Sequence, residues 1–327
     1  MVGKVGEISF RLHAERLLAH AKSGWSPAAK SLRDLPPLAP ERKAKAFVIS
    51  AGPSLHRKSS VQRLLAQKFS GPTVAVDAAM VKCLKQGLIP DYVVTLDPHP
   101  TRMVRWFGDP DFEKHSAADD YFQRQDLDIE FRKNTIRENE KNIELINHYG
   151  PRMKALVASS APANVLARIK EAGFETYFFN PLVDDPENID SLTRKLSAIN
   201  GFPCVNTGGN VGTCAWILAA TVLGIHSLGL LGMDFGYYQD LPRHETQKYY
   251  ELLEFLQDDE DLDVYFPAYT YPGTGEMMYT DPTYYWYRQN FLELIPLVPA
   301  KTYNCTEGGT LFSKKLPCCS VEEFLQN

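Results

Sequence analysis

The sequence of 327 residues lacks several features that would assign it to common classes of protein. Its formal net charge is −5, so no basic excess favours nucleic acid or an anionic membrane surface. No apolar run approaches the length of a membrane span, and the N-terminal residues MVGKVGEISF contain no signal-peptide core. We therefore expect a cytoplasmic protein without a membrane span or a nucleic-acid partner.

Paired cysteine motifs are also missing. The sequence has six cysteines and no CxxC pair, which argues against a zinc site. Reduced, mostly buried thiols are the expected state.

The chain is predicted to divide near residue 44. Residues 1–44 form an arm in which Leu12, Leu17 and Leu18 give a helical stripe, followed by the linker-like DLPPLAP at 34–40. The arm could cover the core or mediate oligomerisation, and the sequence does not choose. Residues 45–327 are predicted to form one Rossmann-like nucleotide-binding domain. A charged insertion at about 101–150 is expected to be helical and solvated rather than part of the core.

Short apolar segments alternate with helical segments through this domain. The segments AFVIS, TVAV, YVVTL, KALVAS and TYFFN each have the length and composition of a buried strand. This alternation predicts an α/β fold with a doubly wound parallel sheet. An N-terminal helical arm and a tyrosine-rich C-terminal segment complete the predicted organisation.

Two glycine-containing turns are candidate phosphate sites. In the first, Gly52, Pro53 and Ser54 follow a strand at the place where α/β folds bind nucleotides, although the spacing is neither GxGxxG nor a P-loop. The second turn precedes an apolar helix whose N-terminus suits an anion. Its candidate residues are Asn206, Thr207, Gly208, Gly209 and Asn210. Both turns could instead be packing turns without a ligand.

Three carboxylates directly follow predicted buried strands, namely Asp77, Asp97 and Asp234. In a parallel sheet all three would point into one crevice, where a cation or donors of a ligand must offset their repulsion. Mg²⁺ is a natural candidate because it prefers oxygen ligands and bridges phosphates. Each aspartate taken alone could equally be a helix N-cap.

Tyrosines are concentrated after Asp234. Tyr237 and Tyr238 come first, followed by His244 and the segment YFPAYTYPGTGEMMYTDPTYYWYRQNF. These rings could form a packing layer, or a wall that stacks a base or sugar and donates phenol hydroxyls to phosphate.

The motifs GPSL, VDAA, DYVVTLDPHP, NTGGNVGTCAW, LGMDFGYY and YNCTEGG, taken together, resemble the Maf-type motility accessory proteins. The same domain family includes proteins similar to the archaeal 6-hydroxymethylpterin diphosphokinase. Maf proteins are implicated in placing nonulosonic acids on flagellin, and their core resembles bacterial sialyltransferases that use CMP-sugars. The resemblance covers about residues 46–325, interrupted by the charged insertion.

The Maf resemblance implies a cytoplasmic glycosyltransferase with a CMP-type donor and a protein acceptor such as flagellin. In the sialyltransferases, tyrosines beyond a G-I-D-F-Y element hold the donor phosphate, a role that would fall to Tyr237 and Tyr238. Their base is a histidine in a later position, which this sequence lacks because no histidine follows His244. His244 could take that role only if its loop folds back. Asp234, His244 and Asp97 are the predicted catalytic residues.

Two alternatives remain open. A diphosphokinase-like enzyme would use ATP and Mg²⁺, with Asp77, Asp97 and Asp234 as metal ligands. Asp77 could equally bind the ribose or base of a nucleotide. The second alternative is a nucleotide-binding protein without catalysis.

Overall fold

The computed structural model describes residues 14–15, 17–22, 28–117, 129–246, 249, 252–253 and 259–326. The chain divides into two compact units. Unit 1 contains Gly3–Pro37 and Val74–Thr207, and unit 2 contains Leu38–Thr73 and Gly208–Asn327. The predicted boundary at residue 44 stays a prediction.

Eleven strands are assigned in the described residues. They are β1 (Lys45–Ile49), β2 (Thr73–Val76), β3 (Tyr92–Thr95), β4 (Lys154–Ala158), β5 (Glu175–Leu182), β6 (Cys204–Asn206), β7 (Ser227–Leu231), β8 (Tyr237–Tyr238), β9 (Ala268–Thr270), β10 (Met277–Tyr279) and β11 (Lys301–Asn304). Eight of these strands are parallel and are flanked by helices, which confirms the predicted Rossmann-like α/β class.

The α-helices follow the strands in the expected alternation. They are α1 (Ser54–Arg57), α2 (Ser60–Ala66), α3 (Asp77–Lys85), α4 (Pro100–Val104), α5 (Phe112–Ala117), α6 (Ile129–Tyr149), α7 (Ala163–Glu171), α8 (Leu192–Asn200), α9 (Val211–Ile217), α10 (Pro282–Leu294) and α11 (Val321–Gln326). A π-helical turn, Leu218–Val222, continues α9. Within the described residues, no helix is long and apolar enough to cross a membrane.

Unit 1 is built on strands in the order β2-β3-β4-β5-β6. Their side chains are mostly buried, as expected for parallel strands covered by helices. Of the predicted arm, Leu17 and Ala21 pack with Leu192 and Leu196 of α8. The arm therefore covers part of the unit 1 core, whereas Leu12 lies outside the described residues.

The charged segment at 101–150 contributes to that core. Met103, Val104, Phe107 and Ile146 are buried in the same cluster as the strands β3 and β4. The prediction that this segment is solvated rather than core is therefore wrong for these positions. Charged residues are interspersed among its apolar residues, which hid the buried face in the sequence. Residues 118–128 lie outside the described part.

Unit 2 has strands in the order β11-β7-β1, with Lys45 opposite Ser227 and Ile49 opposite Leu231. A small antiparallel sheet in the order β8-β10-β9 lies in the same unit. Trp216 of α9 is fully buried against Phe291 of α10, with ring centroids 4.5 Å apart. The apolar helix after the Asn206–Asn210 turn is therefore a core helix, as its composition predicted.

Candidate functional site

The candidate site of unit 2 is centred on Asp234, which follows β7 and is only 2% exposed. The Ser54 backbone N–H donates to Asp234 Oδ2 at 2.7 Å, and the Ser54 hydroxyl donates to Oδ1 at 2.5 Å. A buried carboxylate needs such donors to offset the loss of water. The structure thus brings together the first predicted turn and one of the three predicted carboxylates, which lie 180 positions apart.

The Gly52–Pro53 part of the first turn is shaped by the protein itself. A Cβ at Gly52 would lie 2.4 Å from the Gly232 carbonyl oxygen and 2.7 Å from Asp234 Oδ2. Glycine is therefore required here for packing against the turn after β7. Pro53 precedes α1 as its N-cap residue and leaves Ser54 at the first helical position.

A third turn, from the sequence TEGGT, completes the surroundings of Asp234. Gly309 has φ +82°, and a Cβ there would lie 2.6 Å from Asp234 Cα. The Thr310 backbone N–H donates to the Asp234 carbonyl oxygen at 2.7 Å. The sequence showed two glycines after a late strand, but Gly308 and Gly309 were not predicted as site residues. These glycines could not be recognised because the local sequence does not show that β11 lies beside β7.

Tyr238 lies against this third turn. It is 4% exposed, and its hydroxyl has no hydrogen-bond partner among the residues that the structure describes. A Cβ at Gly308 would lie 2.9 Å from the Tyr238 hydroxyl and 3.6 Å from Ser54 Cβ. The Arg57 guanidinium lies 4.1 Å from the centre of the Tyr238 ring. Burial, together with the negative Asp234, raises the Tyr238 pKa, so the phenol keeps its proton and can donate.

Tyr237 has a different environment from its neighbour. Its hydroxyl donates to Asp281 Oδ2 at 2.8 Å, and its ring stacks on Tyr279 with centroids 5.2 Å apart. The ring centroid of Tyr284 lies 5.3 Å from that of Tyr237. These contacts are those of a packing layer, and the predicted phosphate contact of Tyr237 stays a prediction.

Two strained backbone positions border the site. Phe235 has φ +46° and Glu307 has φ +52°, values that bulky L-residues rarely adopt. The Phe235 carbonyl accepts hydrogen bonds from the hydroxyls of Thr280 and Thr310, each at 2.8 Å. Glu307 forms an ion pair with Arg63. Strain of this kind costs roughly 1–3 kcal/mol per residue and is concentrated at functional sites.

The glycines at 208 and 209 are required by the backbone conformation before α9 and by close packing. Both residues have positive φ, +57° and +85°. A Cβ at Gly208 would lie 2.3 Å from Thr213 Cγ2, and one at Gly209 would lie 2.6 Å from the Trp286 ring. Asn210 is the N-cap of α9, since its side chain accepts from the Thr213 N–H at 2.9 Å. These contacts favour the packing alternative, and a phosphate role stays a prediction.

The remaining turn residues and two of the predicted carboxylates belong to unit 1. Asn206 ends β6 and Thr207, which is buried, follows it. Asp97 is exposed and accepts a hydrogen bond from the His99 N–H at 2.8 Å, which closes a local turn. Their predicted ligand roles remain predictions.

Asp77 of unit 1 is a buried carboxyl group with a raised pKa. It is 2% exposed, its Oδ1 accepts from the Ala78 N–H at 2.7 Å, and its Oδ2 has no hydrogen-bond partner in the described residues. Burial raises the Asp77 pKa to about 7, and the negative charge of Asp97 adds to the rise. The Thr95 side chain and the charge of Arg105 act on this pKa in the opposite direction. Asp77 therefore titrates near neutral pH.

A three-carboxylate magnesium site is not assembled by the described residues. In that part of the chain, no group of three or more His, Cys, Asp or Glu side chains could hold a metal ion. Both oxygens of Asp234 already accept hydrogen bonds from Ser54. Mg²⁺ at a phosphate is often held by one or two carboxylates together with the phosphate itself. A metal role for Asp77 and Asp97 therefore stays a prediction.

His244 is exposed and lies on a 3₁₀ turn, Arg243–Glu245. Its ring makes an edge contact with Tyr249 at 6.5 Å between centroids. Its predicted function as a base stays a prediction.

Comparison with known proteins supports the resemblance to Maf-type and 6-hydroxymethylpterin diphosphokinase-like proteins that the motifs indicated. Residues 16–114 match the model of a family described as 6-hydroxymethylpterin diphosphokinase MptE-like, a range that contains GPSL, VDAA and DYVVTLDPHP. No curated protein matches the sequence. The solved structure of the MAf glycosyltransferase from Magnetospirillum magneticum AMB-1 is similar, with a TM-score of 0.50 and 15% sequence identity. The match covers 95% of this chain and 39% of that one, so this chain spans about two fifths of that protein's length. At this identity the likeness shows the fold.

Proposed function

We propose that this chain is a transferase that binds a nucleotide-activated donor at the site formed by Ser54, Asp234, Tyr238 and Gly308. The fold likeness to a glycosyltransferase and the family match over residues 16–114 both support a transferase. Transfer of a sugar, with a CMP-type nonulosonic acid as donor and a cytoplasmic protein such as flagellin as acceptor, is the specific form that we favour.

The observation that carries this proposal is the Tyr238 hydroxyl. A buried hydroxyl without a partner costs about 1–3 kcal/mol, so it is normally satisfied by protein, water or a ligand. The raised pKa keeps this phenol neutral and hence a donor. A phosphate oxygen is an acceptor of the right chemistry, and the lack of a Cβ at Gly308 avoids a contact of 2.9 Å with the hydroxyl.

Asp234 acts in this scheme as a positioning residue. Its two carboxylate oxygens hold the backbone and the side chain of Ser54, while its own carbonyl holds Thr310. It therefore ties the GPSL turn to the TEGGT turn on either side of Tyr238. Loss of this carboxylate would release the GPSL turn, whereas the TEGGT turn would keep its hydrogen bond to the Asp234 backbone carbonyl.

Glycosyl transfer would use these groups as follows. The bond between the anomeric carbon and the phosphate oxygen of the donor breaks, and negative charge grows on the departing nucleotide. A hydrogen bond from Tyr238 to that phosphate would strengthen as the charge grows, which lowers the barrier. A general base would take the acceptor's proton, and His244 is the predicted candidate.

Calorimetric titration with CMP, CDP, UDP, ATP and GTP tests the proposal. We expect a cytidine nucleotide to bind, and Tyr238→Phe to weaken its affinity by about ten- to a hundredfold, the value of a hydrogen bond to a charged group. The matched control is Tyr237→Phe, one residue away. It should leave affinity unchanged and lower the melting temperature, because Asp281 loses a donor.

Equal nucleotide affinities for wild type and Tyr238→Phe would refute the placement of the phosphate. Failure of all five nucleotides to bind the wild-type protein would refute the proposed function itself.

A diphosphokinase-like reaction is the second candidate, favoured by the family match that contains Asp77 and Asp97. Such an enzyme would bind ATP with Mg²⁺, and the ion would bring the β- and γ-phosphates into position for attack by a pterin alcohol. A chelator should then abolish the ATP-induced rise in melting temperature. A CMP-induced rise that is indifferent to chelator would contradict this candidate and favour glycosyl transfer.

A further inference from the structure

Cys305 and Cys319 of unit 2 lie side by side. Their sulfur atoms are 3.8 Å apart, although the residues are separated by 14 positions in the sequence. The Asn304 N–H donates to the Pro317 carbonyl at 2.8 Å, and the Cys319 N–H donates to the Asn304 carbonyl at 3.1 Å. These backbone hydrogen bonds hold the two segments in register, so the proximity of the sulfurs is built into the fold.

The two thiols differ in exposure and in acidity. Cys305 follows β11 and is fully buried, whereas Cys319 is partly exposed. The hydrogen bond from Cys305 lowers the Cys319 pKa, against the effects of burial and of the negative Glu323 and Glu307. Burial raises the Cys305 pKa well above its usual value. Cys319 is therefore the more reactive thiol, since the thiolate is the nucleophile and needs access to its target.

We propose that Cys305 and Cys319 form a redox-active dithiol, which closes to a disulfide by exchange with a low-molecular-weight disulfide such as oxidised glutathione. Cys319 is the attacking residue and Cys305 the resolving residue. A sulfur pair at this separation reaches bonding distance with a movement of under about 2 Å, since an S–S bond is about 2.05 Å long.

The exchange balances in two steps. The Cys319 thiolate attacks one sulfur of glutathione disulfide, breaks its S–S bond and releases one glutathione thiolate. The Cys305 thiol then loses its proton to that thiolate or to solvent and attacks Cys319 Sγ, which releases the second glutathione thiolate. Two protein thiols are oxidised to one disulfide, and one glutathione disulfide is reduced to two thiols.

The segment between the two cysteines carries Gly308, Gly309 and Thr310, which contact Tyr238 and Asp234. A disulfide would close this segment into a covalent loop. An effect of oxidation on nucleotide affinity therefore rests on the proposed function, whereas formation of the disulfide does not.

The test is equilibration of the folded full-length protein with mixtures of reduced and oxidised glutathione, followed by acid quench, alkylation and peptide mass spectrometry. We expect a Cys305–Cys319 disulfide, at a level at least about tenfold above that of the urea-unfolded chain in the same mixture. Cys204 serves as an internal control because it is exposed. It should yield a mixed disulfide with glutathione rather than a protein disulfide.

Three serine variants assign the roles. Cys318→Ser should still form the disulfide, although this residue is the sequence neighbour of Cys319. Cys305→Ser should stop at a stable mixed disulfide on Cys319. Cys319→Ser, at a partly exposed position, should leave Cys305 unmodified because Cys305 is buried.

Absence of a Cys305–Cys319 disulfide in the folded wild type, or equal yield from the folded and unfolded chains, would overturn the proposal. A disulfide that instead joins Cys318 to either residue would overturn the assignment. Because this measurement needs no nucleotide, its result is independent of the proposed transferase function.

Discussion

Replacement of Asp77 by asparagine should change the pH dependence of stability in a defined direction. The folded-state pKa of Asp77 is raised by burial to about 7, from an ordinary value of 3.8. Between about pH 4 and pH 7 the folded chain therefore holds a proton at this site that the unfolded chain has lost. Because the folded state binds more protons in this window, the free energy of unfolding falls as pH rises through it and levels off above about pH 7.

The size of the effect follows from the pKa difference. A shift of about 3 pKa units, at 1.36 kcal/mol per unit, lowers the free energy of unfolding by about 4 kcal/mol between pH 4 and pH 8. The substituted asparagine would have a similar shape and similar hydrogen-bonding groups to a protonated Asp77, but no charge to bury. We therefore expect Asp77→Asn to match the wild type near pH 4 and to be more stable by several kcal/mol at pH 8.

Urea unfolding of both proteins at half-unit pH intervals measures this difference directly, since titration of all other groups largely cancels in the comparison. Asp97→Asn is the matched control. Removal of the negative charge of Asp97 should lower the Asp77 pKa, so the sloping region should end at a lower pH without disappearing. A difference between wild type and Asp77→Asn that is constant from pH 4 to pH 8 would refute a raised pKa for Asp77.

Two further substitutions test packing at the site and beneath the arm. Gly309→Ala should destabilise the protein by more than about 3 kcal/mol, because the methyl group adds a clash with the Asp234 backbone to the cost of φ +82°. Gly273→Ala is its control, because Gly273 has φ +96° and no atom lies within 4 Å of a Cβ there. If urea unfolding shows an equal loss of stability for the two variants, the clash at Gly309 is absent. Leu196→Ala should lower the free energy of unfolding by about 2–5 kcal/mol, because it removes a buried side chain that packs against the arm. Leu297→Ala, at an exposed position, should change the melting curve little. Equal melting curves for these two leucine variants would contradict the packing of the arm on α8.

The strands and helices of the α/β core were predictable from local patterns. The segment 227–231 is apolar and short, and it forms β7 with four of its five residues buried. The helix predicted after the Gly208–Gly209 turn from its apolar composition begins at Val211, and the structure shows Asn210 as its N-cap. Such segments are determined by composition and spacing, because a strand between two layers of helices must be apolar on both faces.

The sequence also placed Ser54 and Asp234 at strand ends, but it could not show that they meet. Their hydrogen bonds join turns 180 positions apart, and they form only because β1 and β7 are neighbours in unit 2. The glycines of the TEGGT turn escaped prediction for the same reason. Strand order is a property of the packed sheet, and the local pattern of β11 is the same whichever strand it pairs with.

The two adjacent tyrosines show this limit at the scale of single residues. The sequence shows that Tyr237 and Tyr238 follow Asp234 and that both can donate a phenol hydroxyl. Successive side chains of a strand point to opposite faces, so only one of the two can turn toward Gly308. The pairing of β8 with β10 decided that Tyr237 joins the aromatic layer and donates to Asp281, while Tyr238 is buried beside Ser54 with its hydroxyl available. The local sequence puts two phenol groups after β7. Tertiary packing decides which of them faces the site, because burial and strand pairing depend on residues distant in the sequence.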